Sequence, residues 1–174
     1  FATPDSIIFL GGPHATALPK ETLIECRQLD AVVIGEGEET VVDLVRSFST
    51  TDSHWMDAVR GIAYKRKEGD MTRIMITPPR PFIQDLDKIA FPARHLVPFH
   101  EYKLFNKNAA IGFMITSRGC PFACNYCSSS HLMGGKARMR SPKNVVDEVE
   151  ELVVTYGVDK IEFLDDNFML DRFR

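Results

Sequence analysis

Ser117-Arg-Gly-Cys-Pro-Phe-Ala-Cys-Asn-Tyr-Cys-Ser-Ser-Ser130 is the stretch that decides how this chain is read. It sets Cys120, Cys124 and Cys127 in C-x3-C-x2-C spacing, three thiols within eight residues. Three thiolates so close together can hold three corners of an iron–sulfur cube and leave the fourth iron open. A cluster ligated by four cysteines is closed and suits electron transfer, whereas a metal with a free position can bind a substrate directly. The remaining cysteine, Cys26, lies far upstream, which disfavours the electron-transfer reading. The alternative without catalysis is a zinc-stabilised binding or regulatory module, with His131 completing a Cys3His set.

Outward from the loop, the apolar run Ala109–Thr116 reads as a strand whose carboxyl end delivers the cysteines. Downstream, Ser141 as cap and Pro142 at the first position open a helix. Val145, Val146, Val149, Leu152 and Val153 share one face of that helix, and Gly157 ends it. Lys160–Leu164 is the next strand, ending in Asp165-Asp166-Asn167-Phe168. Residues 109–174 therefore read as one βαβ unit of something larger, since a complete eightfold barrel takes roughly 250 residues. The basic run Lys136, Arg138 and Arg140 fits a solvated face or a grip on a carboxylate.

The amino-terminal residues 1–50 alternate strand and helix. Ser6–Leu10 is a short buried strand entering a tight loop at Gly11-Gly12-Pro13. Pro19 starts a helix on whose face Cys26 reads as a core thiol. Asp30–Ile34 is a second strand, closed by Gly35-Glu36-Gly37-Glu38, and Val41, Val42, Val45 and Phe48 line the helix that follows. Such alternation with short loops predicts a parallel, doubly wound sheet, of which this is about half. Between the two regions, residues 51–108 read as a β-hairpin (Gly61–Lys65 and Thr72–Ile76) and a connector. Five of the ten prolines fall between Pro78 and Pro98, a density that sustains neither helix nor central strand. His14 and His95 read as solvated loop residues.

The net charge of −3 gives no electrostatic footing for nucleic acid or an anionic membrane. The apolar runs are far shorter than the roughly 20 residues of a membrane span, and no signal peptide opens the chain. Clustered cysteines suit a reducing compartment, so the expectation is cytoplasmic. The opening on Phe1, running at once into a strand, reads as a start inside a longer protein.

The motifs together resemble radical S-adenosylmethionine (radical SAM) superfamily proteins that carry an amino-terminal cobalamin (B12)-binding-type domain. GGPHATALP (11–19) and AVVIGEGEET (31–40) resemble the later strands and loops of that domain, and DLDKIAFPAR (85–94) resembles the connector. TSRGCPFACNYCSSS (116–130), RSPKNVVDEVEEL (140–152) and IEFLDDNF (161–168) resemble the opening of the radical SAM barrel. The resemblance implies an α/β fold: the C-terminal half of a doubly wound, Rossmann-like cobalamin-binding-type domain, then the first βαβ of a partial (β/α) barrel.

It further implies a 4Fe–4S cluster on Cys120, Cys124 and Cys127, with S-adenosylmethionine on the free iron. One-electron cleavage would give methionine and a 5′-deoxyadenosyl radical for cobalamin-linked methyl transfer or a ring-forming reaction. By the same resemblance Tyr126 packs near the adenine, and Asp165 and Asp166 lie where contacts to the SAM amino group are made. Gly11, Gly12, Gly35, Glu36 and Gly37 correspond to the loops along the cobalamin nucleotide tail. The cobalt-ligating histidine motif would lie upstream of Phe1, so cobalamin is implied by half a site. The partners implied are an unidentified small-molecule substrate and an electron donor such as flavodoxin or ferredoxin. The isolated 174-residue chain is expected not to turn over.

Overall fold

The computed structural model describes residues 6–48, 52, 54–101 and 111–172. The chain divides into two compact units, Phe1–Ile83 and Gln84–Arg174.

The first unit is built on a four-stranded sheet in the order β1 (Phe9–Leu10), β2 (Ala31–Val33), β3 (Ile62–Glu68), β4 (Met71–Ile76). β1 and β2 are parallel, with Phe9 opposite Ala31. The expected parallel sheet then changes character, because β3 runs antiparallel to β2 and β4 antiparallel to β3. The hairpin grouped by sequence with the connector is thus a direct extension of the sheet. Its pairing satisfies the outer edge of β2, which would otherwise leave a row of unpaired backbone groups on a fully buried strand.

The strands are shorter than the apolar runs that announce them, and Gly11-Gly12-Pro13 leads into a short helix, α1 (Pro13–Ala17), rather than a plain turn. Pro19 opens α2 (Pro19–Glu25) as expected. Cys26 caps it, half-buried against the core of Ala15, Leu23, Leu29, Val32 and Ala63.

Helix α3 (Glu38–Phe48) starts with two glutamates at its positive end. Its buried residues are Thr40 and Leu44, while Val42, Val45 and Phe48 are exposed. This corrects the expected face, and polar chemistry explains it. Thr40 Oγ1 accepts from Arg80 Nε at 2.9 Å and donates to the Arg60 carbonyl at 3.5 Å. Arg80 also pairs with Glu39 and Asp43, so the helix is turned toward a cation that its own pattern does not reveal.

In the second unit the proline-rich connector contains three 3-10 turns, Leu86–Lys88, Arg94–Leu96 and Phe99–Glu101. As expected it carries no strand or α-helix among its described residues. Positions 109 and 110 of the expected strand lie outside the described residues, and β5 spans Ile111–Met114. A two-stranded ribbon, β6 (Ser117–Arg118) with β7 (Arg138–Met139), brackets the cysteine segment, which includes the single-turn helix α4 (Ser129–Leu132).

Helix α5 (Pro142–Tyr156) forms as expected. The Ser141 hydroxyl accepts from Asn144 N at 3.2 Å, and Gly157 closes the helix in the left-handed region at φ 62°. The chain returns as β8 (Lys160–Phe163), parallel to β5 with Ile111 opposite Lys160. Met114, Leu152, Val158 and Phe99 form the core of this βαβ unit. Gly112 permits the close packing, since a Cβ there would stand 3.0 Å from Leu152 Cδ1.

Candidate functional site

The cysteine loop leaves the carboxyl end of β5, the end at which parallel α/β sheets present their ligands. Its first residues are held from two directions. Asp165, just past β8, accepts hydrogen bonds from Thr116 N (3.1 Å to Oδ2), from Thr116 Oγ1 (2.8 Å) and from the Ser117 hydroxyl. Thr116 is wholly buried. On the carbonyl side, the Thr116 oxygen accepts from Arg140 N at 3.0 Å.

Gly119 then sets the entry of Cys120. It sits at φ 84°, and a Cβ there would lie 2.5 Å from the Lys136 carbonyl oxygen and 2.9 Å from those of Met133 and Gly134. All three are backbone atoms, so no side-chain rotation relieves the clash. Cys120 N in turn donates to the Gly134 carbonyl at 3.1 Å, and the buried Arg138 donates to the Met133 carbonyl at 2.8 Å. The stretch from 133 to 138 is therefore the seat of the loop.

Cys120 is half-buried, Cys124 and Cys127 are exposed, and all are free thiols. Cys127 N donates to the Cys124 carbonyl at 3.1 Å, which folds the last two cysteines into a tight turn. Beside them lies a depression of about 350 Å³ lined by Cys124, Asn125, Tyr126, Cys127, Ser130 and His131, among others. Tyr126 is 90% exposed. Among the described residues no three His, Cys, Asp or Glu side chains converge on one point. The fold thus places the three thiols on one anchored loop without gathering them into a closed ligand set.

The other expected site residues fall into two groups. Asp166 is an exposed turn residue, whereas Asp165 is engaged by Thr116 and Ser117 as described. Of the basic run, Lys136 is exposed and Arg138 is buried. Arg140 is spent inside the protein: it pairs with Glu148, donates to Asn144 Oδ1 at 2.6 Å, and lies 5.4 Å over the Phe91 ring. In the first unit, Gly11 and Gly37 both flank Val33 at the carboxyl ends of β1 and β2, each 3.6 Å from it at the Cβ position. Gly12 (φ 109°) and Gly35 (φ 80°) adopt backbone conformations that side-chain-bearing residues rarely take, and a Cβ at either would meet nothing within 4 Å. Gly35 N donates to Thr16 Oγ1 at 3.0 Å, tying the loop after β2 to helix α1. Glu36 is buried, and its carboxylate accepts from Ile83 N at 2.7 Å, so it serves the interior of the unit.

Thr116, Ser117, Gly119, Arg94 and Glu148 were not singled out from the sequence. Gly119 alone carried a signal, as the glycine directly preceding the first cysteine.

Residues 114–173 match the family model described as Radical SAM superfamily. An uncharacterised methyltransferase of Pyrococcus horikoshii is 40% identical over 96% of this chain, and cytidylyl-2-hydroxyethylphosphonate methyltransferase of Streptomyces wedmorensis is 33% identical over 97%. Anaerobic magnesium-protoporphyrin IX monomethyl ester cyclase of Rubrivivax gelatinosus is 35% identical over 89%. These matches cover 35%, 36% and 27% of the three relatives, so the chain spans about a third of the length of the curated relatives it matches. Among solved structures, the radical S-adenosylmethionine methyltransferase TsrM of Kitasatospora setae, bound to tryptophan and a SAM analogue, superposes with a TM-score of 0.71 at 20% identity. That superposition covers 95% of this chain and 31% of TsrM, and it extends the shared fold through both units. With its cysteine loop inside the matched segment, the chain belongs to the radical SAM superfamily.

Proposed function

We propose that this chain carries the cluster loop of a radical SAM enzyme that transfers a methyl group or closes a ring on a small-molecule substrate. The observation that carries the reading is the anchored loop itself. Three free cysteines follow a strand of a parallel pair, inside the matched segment, with Cys120 seated on the 133–136 backbone. The donor set fits a 4Fe–4S cluster: soft thiolates with no fourth cysteine on the loop leave one iron for another ligand. Gathering of the three thiols would accompany cluster insertion, as ligand sets commonly assemble on the metal.

When bound, the cluster supplies the electron that cleaves S-adenosylmethionine to methionine and a 5′-deoxyadenosyl radical. The chain's own residues bind and orient. Cys120, Cys124 and Cys127 would ligate the cluster, and the exposed Tyr126 ring would pack near the adenine. Asp166, exposed in the turn past β8, would contact the SAM amino group. Asp165 carries out its part by fixing Thr116 and Ser117. Cobalamin is the second cofactor, and Gly12 and Gly35 support it with bare backbone and open space where a nucleotide tail would lie. Gly11 and Gly37 stand beside them on the same sheet end. The relatives' names, methyltransferases and a cyclase, support both outcomes. An electron donor of the flavodoxin or ferredoxin class completes the reaction. Among the described residues no helix is long and apolar enough to cross a membrane. Free thiols support a reducing, cytoplasmic setting.

The test is anaerobic incubation of the reconstituted full-length protein with SAM and dithionite, scored for 5′-deoxyadenosine and methionine. The expected result is release of both in equal amounts, abolished by Cys127→Ala. Intact SAM alongside bound zinc would favour the Cys3His module instead. That second reading has one observation behind it, His131 in the same depression as Cys124 and Cys127.

A further inference from the structure

Glu148 is one of several acidic residues of α5. In the structure it is 2% exposed and lies between two guanidinium groups, those of Arg94 (5% exposed) and Arg140. Each arginine also holds a backbone carbonyl at the end of β5. Arg94 donates to Phe113 O at 3.4 Å, and Arg140 donates to Ile115 O at 3.0 Å. Carbonyls along a strand alternate in direction. That of Met114 faces β8, where it accepts from Leu164 N at 2.8 Å. Those of Phe113 and Ile115 therefore face the opposite edge of β5, the edge that pairs with no strand among the described residues.

The arrangement is a clamp on the last residues of β5 before the cysteine loop. Asp165 grips the β8 side at Thr116 and Ser117, and the two arginines grip the other side. A lone buried guanidinium would be costly, and Glu148 is the counter-charge that keeps both in place. Arg94 is especially dependent on it, since its Nη1 has no hydrogen-bond partner among the described residues. The connector takes part as well. It supplies Arg94, its Phe91 ring lies under Arg140, and its Asp87 carboxylate accepts from Ser141 N at 2.8 Å at the start of α5.

We infer that Glu148 is a positioning residue for the cluster loop. Through Arg94 and Arg140 it fixes the height and direction at which β5 delivers Cys120, and hence the geometry of the cluster toward SAM. This rests on the radical SAM reading above. A displacement of about 1 Å at a reacting centre suffices to slow chemistry by orders of magnitude, so the effect need not pass through unfolding.

The experiment compares wild type, Glu148→Gln, Glu148→Asp and Asp147→Asn, at the half-buried neighbour that pairs with Lys143, in the cluster-reconstituted full-length protein. Each is measured for far-UV circular dichroism, iron content, the electron paramagnetic resonance (EPR) line of the reduced cluster with and without SAM, and methionine release. Glu148→Gln is expected to stay folded and bind iron while losing the SAM-induced shift of the line. Its methionine release should fall about tenfold or more, with Glu148→Asp partly restored and Asp147→Asn unchanged. Should Glu148→Gln fail to fold, Arg94→Lys carries the same readouts. A lysine keeps the charge but replaces the planar guanidinium, whose Nη2 meets both Glu148 and the Phe113 carbonyl, with a compact ammonium on a flexible stem. A folded Glu148→Gln, or in its place Arg94→Lys, with the wild-type line, shift and rate overturns the inference. Absence of an iron–sulfur signal in the wild type overturns the underlying reading, and the inference with it.

Discussion

The two units each place a positive-φ glycine in a loop that follows a parallel strand, and they use it in opposite ways. At Gly12 and Gly35 the backbone takes a positive φ and the space beside it is open. At Gly119 the φ is similar, but three carbonyl oxygens crowd the place of a side chain. The first arrangement leaves room for something that is not protein. The second spends the glycine on packing, to bring Cys120 against its seat. A positive φ alone therefore does not tell a ligand cradle from an internal joint; what stands beside the missing Cβ does.

The contrast can be broken most sharply at Gly119. Replacement by alanine combines an unfavourable φ with overlap of fixed backbone atoms, and it should cost about 3 kcal/mol or more. We expect thermal unfolding well below wild type and little reconstituted iron. Retention of both would mean that the 133–136 seat adapts freely. Next in size is Asp165→Asn, which leaves one carbonyl oxygen where a carboxylate now serves three donors. An expected loss of about 2 kcal/mol would appear as a lower denaturant midpoint, and an unchanged midpoint would relieve Asp165 of its role in holding β5. The smallest effect on folding belongs to Gly35→Ala, about 1 kcal/mol from the left-handed conformation alone. That variant sharpens the comparison through a different readout: it should weaken cobalamin retention on gel filtration while leaving cluster iron intact. Equal loss of both would erase the distinction between the loops.

What could be read from the sequence was whatever is settled locally. The cap of α5 at Ser141, its Pro142 start and its Gly157 stop depend on backbone groups within a turn, and all three stand where the residues put them. The C-x3-C-x2-C spacing likewise carries its chemistry in eight residues. The missed features depend on partners distant in sequence. Glu148 is buried because Arg94, 54 positions away, reaches it. Thr40 displaces the valine face of α3 because Arg80, 40 positions away, meets its hydroxyl. The β6–β7 ribbon has two residues per strand, too few for any alternation to register. The hairpin was visible, but its pairing with β2 was not, since an edge invites a partner without naming it.

The central claim is that Cys120, Cys124 and Cys127 hold a SAM-binding cluster. The measurement that bears on it most directly is an anaerobic iron and sulfide assay with EPR, with and without SAM, on the full-length protein and its Cys124→Ala variant. Because the Cys124 thiol is exposed, its removal should leave the fold intact and act on the cluster alone. The account predicts about four irons per chain, with a reduced signal that shifts on SAM addition and disappears in the variant. Stoichiometric zinc without iron, unaffected by SAM, would contradict it and make the loop a structural knot.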